Sequence, residues 1–250
     1  MTILENAALV LRCFGNNCTD LTVSEVSERL GLPKASASRL LKSMRETGML
    51  EEIGGSRRHR PGRMMLNLSA AFRYSSGVIG RARAAVHELS QAFGHTGYVS
   101  IRDNRQVLAI ADFEGTNALR VGASIGNKLP AERCATGRSL LARLAPAEVA
   151  LLYPDGPIAE RLAPQLDRIR RTGYALSSQE TTPGVDGLAV AVGDPVTSEA
   201  VSLCLVYPHN LVSDAERNAM IDAMIDSAGG IAEAVGDPLF RAAAERRVPA

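Results

Sequence analysis

Apolar positions recur at helical spacing from the start of the chain. Ile3, Leu4, Ala7, Ala8, Val10, Leu11 and Phe14 form a stripe that predicts a helix over residues 3–14, ended by the polar Gly15-Asn16-Asn17. Thr22-Val23-Ser24-Glu25 has the form of a capping box, in which the threonine oxygen accepts a backbone N–H and the glutamate reaches back. The helix it opens carries Val23, Val26 and Leu30 on its apolar face and stops at Gly31. Pro33 suits the first turn of the next helix, predicted over residues 33–47, with Ala37, Leu40, Leu41 and Met44 on one face. Gly48 ends it. Residues 50–53 then read as a strand, Gly54-Gly55-Ser56 as a turn and residues 57–60 as the return strand, and Pro61-Gly62 closes the unit.

Residues 72–93 form a long helical stretch, broken at Ser75-Ser76-Gly77, that reads as a connector. From Tyr98 the pattern is mixed. Strands are expected over 98–101, 107–112 and 119–123, then helices over 135–144, 146–152 and 164–172. Further strands are expected over 174–177, 187–192 and 200–207, and a last helix over 213–235 has Ser213 as N-cap and Glu216 at N3. Strands, helices, strands and a closing helix predict an α+β domain. The expected division is a winged helix-turn-helix over 1–68, a linker helix over 69–93, a sensing domain over 94–240 and a fraying tail over 241–250.

The chain has 250 residues, 46% hydrophobic and 22% charged, the composition of a folded protein and not of a disordered one. Its net charge of +1 predicts no general attraction to a polyanion. The average conceals a division. Residues 1–68 hold 10 basic and 7 acidic side chains, and residues 34–63 alone hold 8 and 3. The remainder holds 18 and 20. No apolar run approaches the roughly 20 residues of a membrane span, and no basic-then-apolar leader is present, which implies the cytoplasm. The absence of any aromatic residue between Phe14 and Phe72 excludes a base-stacking surface there. Cys13, Cys18, Cys134 and Cys204 have neither zinc nor C-x-x-C spacing, so four free thiols, no metal and no cofactor are expected. No P-loop, dinucleotide fingerprint or nucleophile elbow with an acid–base set occurs. Gly122-Ala123-Ser124-Ile125-Gly126 has only an elbow's outline, so no catalytic residues and no enzyme are expected. A redox sensor built on Cys134 or Cys204 is the remaining alternative.

Two short helices joined through Gly31-Leu32-Pro33 and followed by a basic hairpin make a winged helix-turn-helix. Burying Ala37, Leu40, Leu41 and Met44 leaves the second helix's polar face free to enter a DNA major groove. The small Ala35, Ser36 and Ser38 permit close approach, with Lys34, Arg39 and Lys42 as cationic contacts. Arg57, Arg58 and Arg60 would lie along the adjacent backbone or minor groove. The expected partner is a double-stranded operator.

At this point the sequence resembles the IclR family of bacterial transcriptional regulators. The resemblance rests on Leu30-Gly31-Leu32-Pro33-Lys34-Ala35-Ser36-Ala37-Ser38-Arg39-Leu40-Leu41 with Gly48-Met49-Leu50. It extends to Leu129-Pro130-Ala131-Glu132-Arg133-Cys134-Ala135-Thr136-Gly137-Arg138-Ser139-Leu140-Leu141-Ala142, to Ile169-Arg170-Arg171-Thr172-Gly173-Tyr174-Ala175, and to Gly184-Val185-Asp186-Gly187-Leu188-Ala189-Val190-Ala191-Val192. The resemblance implies a GAF-like effector-binding domain after the linker helix, a homodimer or dimer of dimers, and a repressor or activator of a catabolic operon. Repressor is the expected sign. The implied effector is an organic acid or aromatic metabolite. Carried over, the family's ligand contacts fall on Ala135, Thr136, Gly137, Ser177, Gly187, Cys204 and Val206. Backbone N–H groups at 135–137 suit a carboxylate. The side chains present imply a roomier, less polar lining than that of members binding glyoxylate or pyruvate, and so a larger or more apolar ligand.

Overall fold

Thr2 opens helix α1 (Ile3–Arg12) with a capping box, its hydroxyl accepting from Glu5 N–H. Thr22 repeats the device at α2 (Val23–Leu30), which Gly31 ends in the left-handed conformation at φ +65°. Helix α3 (Lys34–Glu46) begins directly after Pro33, which is the N-cap rather than a first-turn residue. The strands β1 (Leu50–Glu52) and β2 (His59–Pro61) pair antiparallel, Glu51 opposite Arg60. Leu21 bridges to His59 and extends this small sheet. Ala37, Leu40, Leu41 and Met44 are all buried, in a core with Ala7, Val10, Leu21, Val26 and Leu50. Helix α4 (Arg63–Ser75) completes this unit, which spans Met1–Ser75.

The computed structural model describes residues 2–15, 18–117, 125–126 and 128–240. The strand expected over 119–123, most of the elbow-like 122–126 stretch, Asn16-Asn17 and the tail over 241–250 lie outside those residues.

The second unit, Ser76–Ala250, is built on a six-stranded antiparallel sheet. Its strands are β3 (Thr96–Asp103), β4 (Gln106–Phe113), β5 (Lys128–Pro130), β6 (Ala175–Ser178), β7 (Val185–Asp194) and β8 (Glu199–Pro208), in spatial order β5-β4-β3-β8-β7-β6. Alternation along the strands sends large side chains to one face. Leu188, Val190, Val192, Val201, Leu203, Leu205 and Tyr207 pack there against α5 (Gly77–Phe93) and α9 (Asp214–Val235). The other face carries small residues, Ala189, Ala191 and Cys204 among them, and receives α6 (Ala135–Leu141) and α8 (Pro157–Thr172). The short α7 (Pro146–Leu152) connects these two helices. The result is the expected α+β architecture.

Two expectations are corrected and one strand is added. The connector over 72–93 is the end of α4 and the whole of α5, and Ser76 at the break is a helix cap. Its hydroxyl accepts from Ile79 N–H and donates to Glu199. Helix α8 starts at Pro157, not at residue 164, because Gly156-Pro157 supplies the start and Leu162, Leu166 and Ile169 give one buried face, with Pro164 inside the helix on its exposed side. Strand β5 has only three residues and was not expected; it is held by pairing Leu129 with Val107.

Candidate DNA interface and effector cavity

Packing of the apolar face of α3 leaves Lys34, Ala35, Ser38, Arg39 and Lys42 exposed, with Ser36 half-buried. The cations differ in what already holds them. Lys42 pairs with Glu46 at 3.8 Å, an exposed i,i+4 contact of little energetic weight. Arg60 pairs with Glu51 at 2.6 Å across the wing. Arg58 is half-buried and bound to Asp20 and Glu25. Among the described residues, no ion pair is recorded for Lys34, Arg39 or Arg57. Arg57 sits in the wing turn at φ +56° after two glycines with positive φ. The free positive charge of this surface is therefore carried by fewer residues than the sequence count suggests. The pairings of Arg58 join residues 38 and 33 positions apart, and no local sequence signal announces them.

In the second unit, α6 lies over the small-residue face of the sheet and a cavity of about 150 Å³ opens between them. Ala135, Thr136, Ser177, Gly187, Cys204 and Val206 line it. These six come from α6, β6, β7 and β8. Gly137 does not line it. Its N–H donates to Cys134 Sγ at 3.3 Å, and a Cβ there would lie 2.1 Å from the Ala131 carbonyl oxygen, so this glycine serves close packing. Gly187 matters differently: a Cβ there would come within 2.8 Å of Ser177 Oγ and 3.8 Å of Val206 Cγ1, filling part of the cavity wall.

Residues the sequence reading missed complete the lining, notably Tyr98, Ser100, Thr181 and Thr182. Tyr98 and Ser100 could have been found from strand alternation. Thr181 and Thr182 sit in the loop between β6 and β7, whose placement depends on a distant contact. Arg138 on α6 is almost wholly buried and grips Glu180 through two 2.7 Å hydrogen bonds, and it also donates to the Leu176 carbonyl at 2.7 Å. The loop is thereby fastened across the cavity.

The lining is hydroxyl-rich, with Ser100, Thr136, Ser177, Thr181 and Thr182, contains no Lys or Arg, and carries one carboxylate, Asp186, which lies 3.0 Å from His209 Nδ1. Its volume is near that of an engineered cavity able to hold benzene. Ser100, Thr181 and Thr182 add hydroxyls that the four positions Ser177, Gly187, Cys204 and Val206 did not reveal. Burial pushes the Cys134 thiol up to about 11 and the Cys204 thiol up to about 12. Both are held in the unreactive protonated form. No group of three or more metal-ligating side chains occurs among the described residues. No helix among them is long and apolar enough to cross a membrane.

Comparison with known proteins agrees with this geometry. The family described as "Bacterial transcriptional regulator IclR C-terminal" matches residues 73–233, and the "IclR helix-turn-helix domain" matches residues 3–54. The HTH-type transcriptional regulator XynR of Escherichia coli is 28% identical over 94% of this chain and 97% of its own. The HTH-type transcriptional repressor AllR of Escherichia coli is 23% identical over 93% and 90%. The crystal structure of an IclR homologue from Microbacterium hydrocarbonoxydans, complexed with 4-hydroxybenzoate, superposes with a TM-score of 0.77 at 20% identity, covering 94% of this chain and 99% of that one.

Proposed function

The chain belongs to the IclR family of bacterial transcriptional regulators, with a DNA-binding helix-turn-helix and not an enzyme's machinery, and on that premise we propose that it is an effector-controlled repressor of a catabolic operon. Two copies bind a palindromic operator through α3, with Lys34 and Arg39 as its chief cationic contacts and Ala35, Ser36 and Ser38 admitting the groove edge. The observation that carries the effector reading is the cavity itself: residues from α6 and from all six strands of the sheet converge on one hydroxyl-lined space.

The volume favours a compact organic acid or aromatic metabolite no larger than about one substituted ring. The hydroxyls of Ser100, Thr136, Ser177, Thr181 and Thr182 would receive its polar groups. A homologue bound to 4-hydroxybenzoate supports that size class, and a relative named as a repressor supports the sign. A homodimer is supported by apolar side chains left exposed on the first unit: Ile3 and Leu4 on α1, Leu66 and Leu68 on α4. The protein then acts in the cytoplasm, where its operator is. The raised thiol pKa values disfavour the redox-sensor alternative.

Gel-shift titration on the DNA flanking its own gene, with and without 4-hydroxybenzoate, glyoxylate or pyruvate, tests this. Arg39→Ala is expected to weaken operator binding by about 1–3 kcal/mol and to relax preference at one base pair. Unchanged affinity and preference would refute this placement of the DNA surface.

A further inference from the structure

Arg57 and Arg58 are neighbours in a basic hairpin, yet their surroundings are opposite. Arg57 is exposed, with no ion pair recorded among the described residues. Arg58 is turned into the protein. Its Nε donates to Asp20 Oδ1, and its Nη2 lies 3.4 Å from both carboxylate oxygens of Glu25. Glu25 is the N3 residue of the α2 capping box and already accepts from Thr22 N–H at 2.6 Å and Thr22 Oγ1 at 2.9 Å. Asp20 stands two residues before the Thr22 cap. One guanidinium therefore joins the wing to the start of α2.

The backbone makes the same junction. Leu21 N–H donates to His59 O, and His59 N–H donates to Leu21 O, both at 2.8 Å. The residue beside Arg58 is thus hydrogen-bonded to the residue beside Asp20. Electrostatics sets the consequence. A phosphate approaching Arg58 meets the two carboxylates that flank it, so the net local charge is negative. A phosphate approaching Arg57 meets an uncompensated cation. The fork geometry also fits a clamp, because a guanidinium can serve two carboxylates from fixed directions while an ammonium acts as a single point charge.

We propose that Arg58 is a positioning residue for DNA binding. It clamps the wing to the α2 capping box so that Arg57 meets the phosphate backbone, and it makes no DNA contact of its own. This rests on the DNA-binding reading above.

The test measures binding of the full-length chain to fluorescent duplexes tiling the DNA that flanks its own gene, at several salt concentrations. The variants are Arg57→Ala, Arg58→Ala, Arg58→Lys, Asp20→Asn and the double variant Asp20→Asn with Arg57→Ala. Melting curves establish that each is folded at the assay temperature. Arg57→Ala is expected to weaken binding about three- to tenfold and to flatten the salt slope by about one for each head engaged. Asp20→Asn, Arg58→Ala and Arg58→Lys are expected to weaken binding by similar factors, although the first removes a negative charge. Arg57→Ala should then cost less than about twofold in the Asp20→Asn background, a non-additivity that mere loss of stability would not produce.

If Arg58 instead contacts phosphate, the signs reverse. Asp20→Asn would free it and tighten binding, and Arg58→Lys would bind like the parent. Either result overturns the clamp. Failure of the parent chain to bind any duplex would overturn the function as well, and so differs from failure of the clamp alone.

Discussion

A Cβ on Gly187 would meet Ser177 Oγ at 2.8 Å and stand 3.8 Å from Ala135 Cβ and Val206 Cγ1. Its neighbours are a movable hydroxyl and the walls of the cavity beneath α6, the proposed effector site. Gly187→Val should therefore fold, keep DNA binding and lose the effector response, as read by gel shift with and without effector. Gly137→Ala presents the contrast, because its Cβ would press on the Ala131 backbone, which cannot yield. It should destabilise the second unit by on the order of 3 kcal/mol or more, measured by urea denaturation. Titration sets limits at the same scale. Burial lowers the pKa of His95 below its ordinary 6.5, with Glu216 opposing. The unfolded chain then binds the extra proton first, so this contribution is present above pH 6.5 and lost as pH falls. The buried thiols act on the other side. Unfolded they ionise near 9, folded only near 11 and 12, so their contribution is full below pH 9 and lost as pH rises through those values. Thermal unfolding across pH should show both limbs, and replacing Cys134 and Cys204 by Ala should weaken the alkaline one.

Elements were legible where the signal is local. Thr22 with Glu25, and Ser213 with Glu216, mark helix starts by side chains three residues apart, and the structure shows each serine or threonine oxygen accepting from N3. The apolar face of α3 followed from spacing alone, because residues three and four apart share a face. What escaped depends on distance. The hydroxyl-rich lining needs the loop between β6 and β7, and that loop is placed by Arg138 reaching a glutamate 42 residues away. The start of α8 escaped for a different reason. Pro164 reads as a boundary because proline normally ends a helix, but here the flanking buried leucines outweigh that cost. Pro164→Ala restores the missing backbone N–H inside α8. It is expected to stabilise the second unit by about 1–2 kcal/mol after the gain in unfolded-chain freedom is discounted. No change, or a loss, in chemical denaturation would contradict that reading of α8.

For the whole molecule, the net charge of +1 is an average over two units with different tasks. Even within the basic segment, Lys42, Arg45, Arg58 and Arg60 have internal carboxylate partners. Non-specific attraction to DNA is correspondingly modest, and binding should depend on two properly spaced heads. The proposed homodimer makes this testable. Replacing Leu66 and Leu68 by Asp should shift sedimentation toward monomer and lower affinity for a two-half-site operator far more than for a single half-site.

The unequal faces of the second unit's sheet have one more consequence. The bulky face holds the domain together, while the small-residue face chiefly determines what fits beneath α6. Substitutions that enlarge or trim the thin side would therefore change the shape of the cavity while leaving the packing of α5 and α9 in place.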